Sequence, residues 1–218
     1  MEEDNSINII EKEWQIKKEN KLLRNFLITL GIIALLIIAV VVFSKMSTRF
    51  DYKGVKFDMV QEGELILYHT DFPIMYINSQ DPTGLATSAN YNIYLRNDPR
   101  ELEKTVPAIG TLVSIEDTVV NITKEFECEG KQMIAIANLN NLYGAIGKKF
   151  ISDENAACDP LGRYMYVVIQ SGNETSVEQF GPRCYNINIK DCEILEGTER
   201  FIIGMLVNIN LEQSKAEN

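Results

Sequence analysis

Histidine is nearly missing from this chain: His69 is the only one among 218 residues. One imidazole excludes multi-histidine metal centres and any Cys-His or Ser-His arrangement not built on His69. Tryptophan is down to Trp14, which precedes the domain-sized part of the chain and leaves that part no indole for stacking sugars. No two cysteines have the C-x-x-C spacing of zinc sites or dithiol redox centres. Neither G-x-S-x-G nor G-x-G-x-x-G occurs. Gly130-Lys131 sits between strand-like and helix-like residues, but Glu125 and Gln132 occupy the positions where a phosphate loop needs Gly and Ser/Thr. The sequence implies no metal and no cofactor. A general base at His69 with Asp71 or Asp58 is the one catalytic arrangement it offers, set against a plain strand-end histidine satisfied by its surroundings.

A basic surplus is absent as well, because the formal net charge is −10. An acidic chain repels phosphate backbones, which excludes nucleic acid as a partner. Against these absences stands one long apolar run, residues 26–43 (FLITLGIIALLIIAVVVF), with Thr29 as its only polar side chain. Crossing a hydrocarbon core takes about 20 apolar residues, which residues 26–44 nearly supply. Ahead of it lie five Lys/Arg and six Asp/Glu; behind it lie sixteen and twenty-five. All five basic residues fall at positions 12–24, a slight positive-inside bias. All four cysteines (Cys128, Cys158, Cys184, Cys192) follow the run, as do the sequons at Asn121 and Asn173. These signals agree on a cytoplasmic N-terminus and an extracytoplasmic C-terminal domain. A cleaved signal peptide fits less well, since the lead is long and no A-x-A site follows.

The expected organisation is a cytoplasmic helical extension (1–25), a signal anchor (26–44), a linker (45–50), a domain (51–213) and a polar tail (214–218). The domain divides into a β-rich part (51–115) and an α/β part (116–213). Ile9, Ile16 and Leu23 lie seven apart in the extension, too few for a coiled-coil seam. Alternation predicts a hairpin from 55–59 to 64–68 around Gly63, then strands at 74–77 and 91–95. Residues 78–90 (NSQDPTGLATSAN) predict a polar loop, the best candidate for a recognition element. Asp98-Pro99-Arg100-Glu101 predicts a capped helix start with Glu101 closing a capping box. Strand character returns over 110–127, and a helical period covers 133–147. A central strand at 164–169 is followed by strands at 176–180 and 184–189, read as an up-down-up meander. Residues 194–205 suit a helix and 206–211 alternate like a strand, so that segment stays open between the two.

Cysteine pairing follows from direction. If 184–189 is extended it spans about 17 Å and the three residues after it return at most about 10 Å, which disfavours a Cys184–Cys192 bond, since that needs Cα atoms within about 7 Å. If the strand ending near Cys128 runs parallel to the one starting at Cys184, then Cys128 and Cys192 share one end of the sheet. Cys158 and Cys184 share the other. The expected pairs are Cys128–Cys192 and Cys158–Cys184.

The stretches 52–58 (YKGVKFD), 91–104 (YNIYLRNDPRELEK), 172–175 (GNET), 184–185 (CY) and 192–195 (CEIL) resemble an uncharacterised family of single-pass membrane proteins from small-genome archaea. That resemblance implies a cell-surface setting and brings no activity or catalytic residue with it. The whole reads as an α+β protein: one transmembrane helix, then a mixed β-sheet ectodomain with few helices and two disulfides. Its expected role is a binding or scaffold component of an envelope assembly, partnered by the bilayer through 26–44 and by an envelope protein. The alternatives are an extracytoplasmic hydrolase using His69 and nearby carboxylates, and a single-pass subunit of a secretion or adhesion machine. Oligomeric state is not written in the sequence.

Overall fold

A computed structural model describes residues 21, 24–39, 48–77, 86–112, 116–123, 126 and 128–216. The chain divides into two compact units, 1–48 and 49–218. In the first, helix α1 covers residues 24–39. Among the described residues no helix is long and apolar enough to cross a membrane. Residues 40–44 of the expected anchor, and nearly all of the expected N-terminal extension, lie outside the described residues.

The described residues of the second unit are α+β, with two sheets and three helices. Strands β1 (Arg49–Tyr52), β2 (Val55–Glu62), β3 (Leu65–Ile77) and β4 (Ala86–Leu95) form an antiparallel sheet in chain order. Lys53-Gly54 and Gly63-Glu64 make the tight turns, with positive φ at Lys53, Gly54 and Gly63. The expected strands at 64–68 and 74–77 are one strand of 13 residues passing through Pro73. Pro73 lies where β3 pairs only with β4, a position that tolerates a missing N–H. Residues 86–90, expected in the loop, extend β4 because they pair with Pro73–Ile77; 78–85 lie outside the described residues.

Asp98 caps helix α2 (Pro99–Thr105) by accepting from the Arg100 backbone N–H at 2.9 Å, with Pro99 in the first turn. Glu101 does not close a capping box. Its carboxylate accepts from Lys104 one turn on at 2.8 Å rather than reaching back to the Asp98 backbone N–H. Arg100 holds the Asp98 carboxyl below the usual carboxylate range.

The second sheet has six strands in the order β5 (Ala108–Ile109), β9 (Ser176–Gly181), β10 (Cys184–Ile189), β8 (Met165–Ser171), β6 (Thr118–Ile122), β7 (Phe150–Ser152). Of the expected strand over 110–127, only β6 forms; residues 113–115, 124–125 and 127 lie outside the described residues. Strands β6, β8 and β10 run parallel and β9 runs opposite to β10. The up-down-up directions are as expected, but the meander is not. β10 inserts between β8 and β9, since a central apolar strand such as β8 gains most from parallel neighbours on both sides.

Helix α3 (Lys131–Ala145) starts after Gly130, whose φ of 80° a glycine adopts without strain. Helix α4 (Ile194–Ala216) takes in the whole open segment, including the 206–211 alternation. It packs against β9 and β10 of one sheet and β2 of the other, as well as α2 and α3. Apolar groups on two sides explain its mixed period: Ile202, Ile203, Met205 and Leu206 are all at least 96 % buried. At Gly197 an added Cβ would fall 2.7 Å from Ile189 Cδ1, so glycine sets how closely α4 approaches β10. One apolar cluster runs from Phe57 and Leu95 through Phe201 and Leu142 to Ile187 and Ile169.

Both expected disulfides are present, Cys128–Cys192 with Cα atoms 5.4 Å apart and Cys158–Cys184 at 5.7 Å. The first joins the segments leading into α3 and α4. The second pins the loop before β8 over Tyr166 and Val168 on the outer sheet face. They close sequence separations of 64 and 26 residues. Replacing either pair by Ser is expected to cost about 3–4 kcal/mol of stability, read as a lower urea midpoint. Disulfide mapping of the intact chain that joined Cys184 to Cys192 would contradict the parallel arrangement of β6, β8 and β10.

Candidate functional site

The outward face of the four-stranded sheet carries the residues that the sequence singled out. Register places Arg49, Asp58, His69 and Tyr94 in one row across β1 to β4. Arg49 pairs with Asp58 at 2.9 Å, so that carboxylate is turned to the guanidinium. The His69 ring stacks on Tyr94, centroids 4.8 Å apart, and its Nε2 meets Asn92 Oδ1 at 2.9 Å. Asp71 shares the face but accepts from Asn90 at 2.7 Å. The general-base pairing of His69 with Asp71 or Asp58 is therefore not assembled: each of the three side chains is held by a different neighbour. Cross-strand spacing explains this, since amides on β4 stand within reach of both His69 and Asp71.

The two sequons differ in setting. Asn121 lies within β6 and is half-buried, donating to the Glu154 carbonyl at 3.2 Å and Tyr166 Oη at 3.4 Å. Asn173 is exposed in the turn between β8 and β9. Among the described residues no group of three or more His, Cys, Asp or Glu is arranged to hold a metal ion.

Among the described residues, clefts border α4 at three places. One of about 240 Å³ lies between Thr70–Pro73 and the α4 residues Leu206, Ile209 and Asn210. Another of about 240 Å³ is lined by Tyr52, Lys53, Gly110, Leu112, Arg200 and Asn208. There Lys53 pairs with Glu103, and Arg200 Nε donates to the Val106 carbonyl at 3.1 Å. Burial pushes the Tyr52 phenol up, helped by the Glu103 carboxylate nearby. The third, of about 130 Å³, runs beside consecutive residues 91–95 of β4, with Asn138 and Leu142 of α3 and Ile202 of α4 opposite. Five successive residues point alternately to the two faces of a sheet, so a cleft touching all of them follows the backbone edge of β4.

The chain matches no family model, no curated protein and no solved structure. Its chemistry has to be read from its own side chains.

Among the described residues, the least exposed carboxylate is one that sequence pattern did not mark. Glu199, 1 % exposed in the second turn of α4, accepts from the backbone N–H groups of Arg96 and Asn97 at 2.8 and 3.0 Å and from Asn97 Nδ2 at 2.9 Å. It clasps the turn between β4 and α2 onto the central helix. No local signal marked it, because Glu199 lies in the polar run 196–200 (EGTER), where a carboxylate reads as solvated. Burial raises its pKa above the ordinary 4.5, and the three donated hydrogen bonds offset only part of that. A carboxyl raised on folding stabilises most when protonated, and that contribution falls away as pH rises through its folded-state value. The stability difference between wild type and Glu199→Gln should therefore move in favour of the variant as pH rises above 4.5. A difference constant across pH 4–8 would show that the carboxylate is not perturbed. The Gln amide also turns one N–H toward donors, which should cost about 1–3 kcal/mol at low pH.

Proposed function

We propose that this chain is a membrane-anchored protein whose C-terminal domain works outside the cytoplasm as a binding or scaffold component of an envelope assembly. The observation that carries the reading is the surface of α1. Phe26, Leu27, Ile28, Leu30, Ile32, Ile33, and Leu35 to Ile38 are each between 49 and 70 % exposed. An apolar helix whose large side chains are about half exposed or more has a stable home only in lipid or against other protein. With residues 40–43 (VVVF) the apolar run comes close to the ~20 residues a bilayer span takes. Two disulfides in a domain with no free cysteine suit an oxidising compartment beyond that bilayer.

The role as a platform rather than a catalyst is supported by the state of His69, Asp58 and Asp71, each held by a neighbour on the same sheet face. The long uncharged β4 and the clefts bordering α4 offer surface for a partner. The resemblance to archaeal single-pass proteins agrees with a cell-surface setting.

Expressed as the full chain, the protein should stay with membranes through alkaline carbonate extraction. In sealed right-side-out vesicles, external protease should remove residues beyond 49, and a thiol reagent should label no cysteine without prior reduction. Release into the carbonate supernatant, or a domain protected from protease, would overturn the anchor or its orientation. In a host that modifies sequons, glycan should appear at exposed Asn173 and not at Asn121, whose amide is tied down within β6; peptide mapping that found the reverse would count against an outward domain with this fold.

A further inference from the structure

β4 ends its sheet, and among the described residues it pairs only with β3. Over Ala86–Leu95 it has no charged residue and no proline, the two devices that normally blunt an exposed edge. Across the cleft along that edge, Gln132 to Gly147 of the α3 segment is equally without charge. In a chain that is 24 % charged, two adjoining uncharged elements around a strand edge mark a surface made to be covered.

The far half of β4 has a second deficiency. β2 stops pairing with β3 at His69, so Pro73–Ile77 and Ala86–Asn90 form a ribbon of only two strands. Such a ribbon is marginally stable in water without a third strand. The near half, by contrast, is backed by β2 and packed on the core through Ile93 and Leu95, 7 % and 1 % exposed.

We infer that β4 pairs antiparallel with β4 of a second copy, about a two-fold axis at Tyr91, to join two sheets into one of eight strands. A sheet continuing across the axis keeps its buried side on one face, so inward residues must meet inward residues. Tyr91, Ile93 and Leu95 are inward by register with Thr70 and Phe72. Centring on Tyr91 brings Ala89 of each copy beside Ile93 of the other, small against large, with Asn90 beside Asn92 on the outer face. Each unsupported ribbon thereby gains the supported half of the other copy as its third strand.

Directly opposed residues in an antiparallel pair have Cα atoms about 4.5–5.5 Å apart, which suits a disulfide. All four native cysteines are already paired, so one introduced cysteine reports cleanly. The purified full chain carrying Tyr91→Cys, oxidised with copper phenanthroline, should give about ten-fold more covalent dimer on a non-reducing gel than Ile109→Cys. Ile109 is 63 % exposed on β5, at the edge of the other sheet. Should Tyr91→Cys fold poorly, an equimolar mixture of Asn90→Cys and Asn92→Cys chains tests the same register from exposed positions. Dimer at the Ile109→Cys level in both cases overturns the inference. That includes the outcome in which helix α1 alone holds copies together in detergent, and the outcome in which a foreign strand takes the edge and the chain stays single.

Discussion

Burial of α4 between two sheets is the constraint on which the domain depends. A helix with one apolar stripe needs one partner layer; α4 presents apolar side chains to β9 and β10 on one side and to β2 on another. Each buried aliphatic side chain contributes about 1.5–3 kcal/mol, so the residues from Ile194 to Leu206 supply a large part of what offsets chain entropy. The two sheets share this one helix as their common floor. Gly197 allows β10 to come close, and Glu199 draws in the turn after β4 with three hydrogen bonds. The clefts noted above all border this helix, so anything bound in them would feel its position.

The disulfides work at the margins of that core. Cys128–Cys192 ties the approach to α3 to the approach to α4, and the α3–α4 contact then buries Leu139 and Leu142. Cys158–Cys184 holds a loop over the outer face of the parallel sheet, where Arg163 and Asp159 form a further clasp and hold the Asp159 carboxyl down to about 2. A parallel sheet wants cover on both faces. Helices cover one, and this pinned loop covers the part of the other that carries Tyr166 and Val168.

Much of the fold was legible in local pattern. The β2–β3 hairpin followed from alternation and Gly63, α2 from Asp98-Pro99, α3 from apolar spacing, and the cysteine pairing from strand length and direction. Readings failed where the deciding partner is distant in sequence. Residues 86–90 look like loop because they are small and polar, yet pairing with Pro73–Ile77 makes them strand. The 206–211 alternation looks like strand, yet helix α4 continues through it because both of its sides meet apolar layers. The site fared similarly: His69 and Asp71 share a face as period two requires, but the amides of Asn90 and Asn92 that separate them come from another strand.

The sequence by itself determined the apolar run at 26–43, the acidic balance, the absence of metal-site and nucleotide-binding motifs, and which cysteines could reach one another. These depend on composition, spacing and the reach of an extended chain, all of which are local. Only the tertiary structure decided that β10 lies between β8 and β9, that Glu199 is a clasp, and that β4 is a long uncharged edge with a cleft beside it. Those features arise from pairing and burial between segments far apart in the chain, and such long-range contacts leave no local period to read.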